Sequence, residues 1–397
     1  MSEVPAAADA FDPVDFLERA VSIPSDESVD TVRDLVRSTL ETNGVDVTVD
    51  DAGNLLAGRG PNGASPQAGD TAGPHLVLNT HMDTVAPHFD PEWSDDGERL
   101  SGRGACDAKG PLAAMLAAFL AADAGRGRLS LALTPDEEVY STGAHALVTG
   151  NGLSTDDAAG NGASPIRTAD AVIVGEPTGL DVCTAAPGRF EGTIELAGER
   201  AHAAEPETGA NAVDALAEVL TAIRTFDERS DVPDVSSQLG DPTLTPTVVA
   251  GGETTNQVPA EARLTVDRRP APPETPASFE AALLEHLRDA VSPSIAISFS
   301  FTERPTPFFE SWATDPSESI VGILADASGG AVRPFGAATE ASYFAPRAPT
   351  VVFGPGRLAD DEGPIAHADR EYVRVDAVRS AADALTRTAE SVLLADA

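Results

Sequence analysis

The sequence predicts an α/β protein whose chain is interrupted by a smaller α+β insertion, and three observations carry that expectation. Short apolar strands alternate with helical segments up to residue 188, the pattern of a parallel or mixed sheet covered on both faces. Between 189 and 304 the order becomes strand, helix, two strands, helix, strand, the split arrangement of a small open sandwich. From 305 the strand–helix alternation resumes. The expected division is residues 1–188 plus 305–397 as one domain and 189–304 as the insertion. A chain of 397 residues also exceeds what one ordinary core supports.

Each element follows from local pattern. Phe11 to Ile23 reads as a helix with Pro13 in its first turn, and Ser28 to Asn43 as a second, stopped by Gly44. Val45–Val49 and Asn54–Ala57 read as strands. Residues 60–74 form a Gly/Pro/Ala/Ser-rich insert, expected to be a surface loop. His75–Thr80 is a buried strand running into His81-Met82-Asp83. Lys109–Asp123 is an Ala/Leu helix. Leu129–Leu133 is a strand ending at Asp136-Glu137-Glu138, and after a second polar insert, 150–168, Ala171–Val174 leads into Gly175-Glu176-Pro177-Thr178. Within the insertion the strands are Phe190–Ala197, Thr245–Ala250, Ala262–Val266 and Ile295–Phe301, and the helices Ala210–Phe226 and Ser278–Ala290. A helix at Pro316–Ala327, a strand at Thr350–Phe353 and a C-terminal helix from Asp376 complete the first domain.

Composition excludes several functions. The 64 acidic residues against 26 basic give a net charge of −38, which repels nucleic acid and anionic membrane. No apolar run reaches the length of a transmembrane helix. Met1 to Asp12 lacks the basic start and apolar stretch of a signal peptide, so a cytoplasmic enzyme is expected. The acids are spread along the whole chain, and only one residue, Lys109, is a lysine. That pattern suits a salt-rich cytoplasm, where at molar salt a Debye length of about 3 Å screens self-repulsion. Cys106 and Cys183 are too few for a disulfide framework, so metal ligands, if any, are His and carboxylate.

Five segments place such ligands at strand ends or just beyond, where open α/β sheets carry their sites. In His81-Met82-Asp83, residues two apart point the same way on an extended backbone, so Asp83 can orient a ligating His81. In Gly102-Arg103-Gly104-Ala105-Cys106-Asp107-Ala108-Lys109-Gly110 the glycines permit a tight turn before a helix. Asp107 there reads either as a cap or as a ligand, and the retention of the single lysine favours a role beyond capping. Glu137 and Glu138 are adjacent carboxylates after a strand, one suited to metal and the other to base chemistry. Glu176 follows a strand directly, and His367 comes late, in Ala366-His367-Ala368-Asp369-Arg370-Glu371-Tyr372. Clustering these acids without cations would be costly, and dications remove that penalty.

Taken in order, these motifs resemble the acetylornithine deacetylase, succinyl-diaminopimelate desuccinylase and carboxypeptidase G family of two-metal metallopeptidases, over roughly residues 12–390. The resemblance implies a zinc-peptidase-like three-layer α/β catalytic domain with an inserted ferredoxin-like α+β lid that also dimerises. It implies two divalent ions, zinc foremost with cobalt or manganese as alternatives. Asp107 would bridge them, His81 and Glu176 would hold one, and Glu138 and His367 the other. Asp83 would orient His81, and Glu137 would be the general base. Gly198-Glu199-Arg200-Ala201-His202 is similar to the motif whose His reaches a neighbouring subunit's site to steady the oxyanion. The stretch Asn256-Gln257-Val258-Pro259 to Asp267-Arg268-Arg269 is similar to the one whose Asn and Arg contact substrate, with Arg269 the match by spacing and Arg268 beside it. Ala108 stands where Met is more usual, and Arg370 where Asp often follows the late His, which questions the local support of His367 rather than its role. His75, His88, His145 and His286 match no motif and are expected to be structural.

The function expected is metal-dependent hydrolysis of the acyl-amide bond of an N-acyl amino acid, in a homodimer. Alternatives are a dipeptidase or carboxypeptidase on the same core, a carbamoyl-amino-acid hydrolase, against which Glu176 argues, and, from a different class, a binding protein that holds no metal.

Overall fold

In the computed structural model, residues 11–61, 73–150, 164–229 and 239–394 are described. Most of both polar inserts, 62–72 and 151–163, lies outside them. The end of the second, Pro165–Thr168, is a single 3-10 turn. The chain divides into two compact units: residues 1–184, 314–335 and 343–397, and residues 185–313 with 336–342.

The first unit is built on an eight-stranded mixed sheet. Its spatial order is Val47–Val49, Leu55–Arg59, Arg128–Thr134, His75–His81, Ala171–Val174, Thr350–Val352, Val182–Cys183, Val332–Arg333. The central strands Arg128–Thr134, His75–His81, Ala171–Val174 and Thr350–Val352 run parallel, and the edge pairing Val47–Val49 with Leu55–Arg59 is antiparallel. His75–His81 is buried at every position, as a central parallel strand must be.

Helix Lys109–Ala121 is apolar nearly all round, the mark of a helix enclosed by protein. It packs on the sheet beneath Val375–Leu394 and Pro13–Val21. Leu112, Met115, Leu116 and Phe119 are fully buried there, each contributing roughly 1.5–3 kcal/mol of burial. Pro13–Val21 starts where Asp12 Oδ1 accepts the Val14 N–H at 2.7 Å. Among the described residues, two helices have no counterpart in the sequence expectations: the single turn Ala341–Phe344 and the longer Thr142–Thr149. For Thr142–Thr149 the reason is visible. Its cap comes from a distance, since Asp136 accepts the N–H groups of Thr142 and Gly143, and nothing at Ser141 itself announces it.

The second unit holds a four-stranded antiparallel sheet, Thr243–Gly251, Glu261–Arg269, Phe190–Ala197, Ala296–Phe301 in spatial order. With helices Ala212–Arg224 and Pro276–Ala290 this is a ferredoxin-like sandwich. Its core joins Phe190, Ile194, Leu264 and Val266 to Leu216, Val219, Phe279 and Leu283. Asn211 caps the first helix through its side-chain oxygen.

Candidate metal centre

The ligand residues leave the sheet at the carboxyl ends of adjacent parallel strands. His81 ends its strand opposite Thr134, Glu137 and Glu138 follow Thr134, and Glu176 follows Val174. Asp107 precedes the enclosed helix, and His367 lies in a turn with φ of 63°, a left-handed conformation uncommon outside glycine. Five side chains meet. His81 Nε2 lies 3.2 Å from Asp107 Oδ1, while His367 Nε2 lies 3.5 Å from Asp107 Oδ2 and 3.0 Å from Glu138 Oε1. Asp107 thus turns one oxygen to each histidine. Two groups could each hold an ion, His81–Asp107–Glu176 and Asp107–Glu138–His367, with ligand atoms within 4.8 Å of one another.

The donor chemistry fits divalent cations. Imidazole nitrogen and carboxylate oxygen are the ligands zinc and similar ions take. Burial opposes a charge on His81, yet its hydrogen bonds to Asp107 and Asp83 hold it well above the ordinary imidazole value. Hydrogen bonds to Asp107 and Glu138 push His367 up to about 10. Burial would raise Asp107, but its contacts to His367 and His81 hold it well below the usual carboxylate range. Burial and the neighbouring Asp107 charge raise Glu138. The carboxylates of the cluster thus favour positive charge at both imidazoles, and dications answer the same demand.

Around the ligands runs a set of anchoring contacts. Asp83 does two jobs: Oδ1 stands 3.2 Å from His81 Nδ1, and its two oxygens accept the Glu137 and Glu138 N–H groups at 3.0 Å each. The second job was not legible in the HxD spacing. Lys109 is buried and donates from Nζ to Ile23 O at 2.7 Å; burial lowers it to about 8. The single lysine therefore ties the ligand loop to the chain after the first helix. At Gly104, with φ of 84°, a Cβ would meet Thr84 Cγ2 at 2.7 Å and Lys109 Cδ at 2.9 Å, so the loop can close over Lys109 only with glycine. Two residues of the late-His segment add further anchors. Glu371 accepts the N–H groups of Cys106 and Asp107 and pairs with Arg103. Glu371 lies in the late-His segment that carries the resemblance, but its burial and these contacts are not legible there. Arg370, the departure noted after the late His, binds Asp360 and the carbonyls of Gly363 and Pro364, so the turn before His367 keeps a polar anchor.

The remaining residues singled out in the sequence belong to the second unit. His202 is exposed on a two-residue strand paired with Gln257–Val258. Its Nδ1 accepts the Ala204 N–H at 3.1 Å, which leaves the ring proton on Nε2 in the neutral form. Asn256 is exposed beside it, its carbonyl accepting from Ala203 N. The two arginines separate cleanly. Arg268 is buried, paired with Asp227 and Glu274 and set over Phe226 and Phe279. Arg269 is partly exposed, and Nε alone is engaged, on Asp267 at 2.8 Å.

Comparison with known proteins agrees with this arrangement. A model of peptidase family M20/M25/M40 matches residues 77–391. The acetylornithine deacetylase of Myxococcus xanthus is 32% identical over 353 residues, covering 83% of this chain and 82% of that protein. Aminopeptidase PepT from Bacillus cereus ATCC 10987 superposes with a TM-score of 0.71 at 18% identity, over 96% of this chain and 98% of that one. The Bacillus subtilis YXEP protein, described as a dinuclear metal binding peptidase of the M20 family, superposes with a TM-score of 0.69 at 13% identity, over 96% and 97%. The two structural likenesses show a common fold, an α/β catalytic domain carrying a second α+β domain. The family match settles the rest: this chain belongs to peptidase family M20/M25/M40 and is a metallohydrolase acting on amide C–N bonds.

Proposed function

We propose that the chain removes the acyl group from the nitrogen of an N-acyl amino acid, in the manner of acetylornithine or succinyl-diaminopimelate deacylases. The observation that carries this is the sharing of Asp107 between two ligand groups, together with the similarity to an acetylornithine deacetylase over most of both chains. In this reading His81 and Glu176 hold one divalent ion, Glu138 and His367 the other, and Asp107 both. The ions would be zinc, with cobalt or manganese as substitutes, and when bound they supply Lewis acidity toward the amide carbonyl and the attacking water.

Glu137 takes the proton from that water and returns it to the departing amine. Asp83 fixes its backbone through the Glu137 N–H, so the base is set from the same carboxylate that orients His81. His202 offers an Nε2–H donor to the oxyanion, at the site of a neighbouring subunit if the second domain dimerises as the resemblance implies. Arg269 receives the substrate carboxylate, and Asn256 contacts the substrate beside His202. Arg268 is excluded from that duty because two carboxylates and two rings already enclose it. We further assign the acidic surface to a salt-rich cytoplasm.

Peptide cleavage is the second reading, favoured by the fold shared with an aminopeptidase. A panel of N-acetyl-, N-succinyl- and N-carbamoyl-amino acids and dipeptides, assayed at high salt with added zinc, cobalt or manganese, separates the readings. Turnover of acyl amino acids well above dipeptides is expected; the reverse order would move the assignment to a dipeptidase. Glu137→Gln is expected to lower kcat by about 10²–10⁴-fold with both ions retained. Loss of the ions in that variant would instead make Glu137 a ligand.

A further inference from the structure

Two of the candidate ligand-bearing segments, 102–108 and 365–371, lie outside the eight-stranded sheet; they flank the short antiparallel pair Arg99–Ser101 and Tyr372–Arg374, and beyond that pair Asp107 and His367 must still reach the same point. One buried carboxylate joins them. Glu371 is 1% exposed, and its Oε1 accepts the Cys106 N–H at 3.0 Å and the Asp107 N–H at 3.1 Å. Its Oε2 accepts from Arg103 Nη1 at 2.7 Å. Arg103 is also 1% exposed. It donates to Pro87 O at 3.0 Å and to Ala368 O at 3.4 Å, and lies over the Phe89 ring. The main chain closes the same junction, with Gly102 N–H on Glu371 O and Glu371 N–H on Ala368 O.

The geometry points to Glu371, held by Arg103, as a positioning residue that sets the Asp107 carboxylate and the His367 turn relative to each other, so that the two ion sites form together. The inference rests on the ligand set proposed above. A carboxylate is suited to this task where an amide is not. Both N–H groups of the Asp107 loop need an acceptor, and an ionised oxygen binds them about twice as strongly as a neutral one. The guanidinium compensates the charge, and together the pair spans both segments without approaching an ion as a ligand. Hydrogen-bonded groups behind metal ligands typically govern affinity by about 10–100-fold, and here the same carboxylate lies behind the residue shared by both ions.

The test is cobalt binding to the full chain after chelation, followed by the visible spectrum and by equilibrium dialysis. Glu371→Gln strands a buried guanidinium and can cost the fold, so the double variant Glu371→Gln with Arg103→Met, which removes both charges at similar volume, is measured beside Glu371→Asp. Wild type is expected to bind two cobalt ions. The double variant is expected to bind both about 10–100-fold more weakly with an altered cobalt spectrum, and kcat is expected to fall more than KM rises. Glu371→Asp should recover part of the affinity. A folded double variant that takes two ions with wild-type affinity and spectrum, differing only in melting temperature, would reduce Glu371 to a packing role and overturn the inference. Should wild type itself bind fewer than two ions, the ligand assignment fails first, and this inference with it.

Discussion

The two halves of the ligand cluster are built differently. His81 is 1% exposed and ends a central strand, with Glu176 buried just past the end of the next strand. His367 is 52% exposed and sits in a left-handed turn, its partner Glu138 in a loop. One half is fixed by the sheet and the other by side-chain anchors on loops. The sheet-borne half inherits the rigidity of a fully hydrogen-bonded parallel ladder, while the loop-borne half depends on Asp83, Glu371 and Arg370. Substrate and ions exchange most readily where the ligands are open, so the His367 side is the expected entry.

That contrast can be broken at its common member. Asp107→Asn is expected to lose both ions and to lower activity by at least about 10³-fold, since the shared ligand and the metal's contribution to rate go together. Retention of one full equivalent in a metal analysis would show that the halves are independent. Next in size, His367→Ala is expected to lose one ion and leave the fold intact, whereas His81→Ala is expected to lose an ion and also lower stability by about 1–3 kcal/mol, because buried Asp83 and Asp107 each lose one of their hydrogen-bond partners. Urea titrations of the two variants compare them; equal stability would erase the distinction between sheet-borne and loop-borne ligands.

A smaller effect sharpens the loop side alone. Arg370→Ala frees Asp360 and the Gly363 and Pro364 carbonyls near the surface, and is expected to weaken one ion by about tenfold with little change in melting temperature. Equal weakening of both ions would place Arg370 with Glu371 rather than apart from it.

The smallest prediction uses the far end of the His81 strand. His75 shares its burial, but its environment shifts it the opposite way. Burial and the neighbouring Arg128 lower it to about 4, and its ring accepts from Arg128 and meets Ser130 Oγ at 2.8 Å. A base whose folded pKa is depressed costs stability as the pH falls below its unfolded value, because the unfolded chain takes the proton first. Between the ordinary imidazole value of 6.5 and about 4 the wild type should therefore lose up to about 1.4 kcal/mol per pH unit relative to His75→Gln, with no difference from this source above that window. Parallel urea curves at pH 7.5 and pH 5 test it; an unchanged gap would mean that His75 titrates normally.

Much of this was legible residue by residue. Apolar periodicity is local, so most strands and helices could be placed to within a few positions, and His81, Glu138 and Glu176 stood out as candidate ligands because each sits at or just past a strand of the main sheet. Which of the two arginines turns outward was also within reach. Ala262, Leu264 and Val266 face the core on alternate positions of the strand, and Arg268 continues that face, which leaves Arg269 outward. The helix Thr142–Thr149 and the second role of Asp83 were not legible, because each depends on hydrogen bonds made by residues that local pattern assigns to something else.

By itself the sequence determined the kinds of element, the donor atoms and their order along the chain, since these depend on residue chemistry and short-range periodicity. Tertiary structure alone decided that Asp107 turns one oxygen to each histidine and that Glu371 and Arg103 join the two loops behind it. Both depend on contacts between segments more than two hundred and fifty residues apart, which residue type and short-range periodicity do not encode.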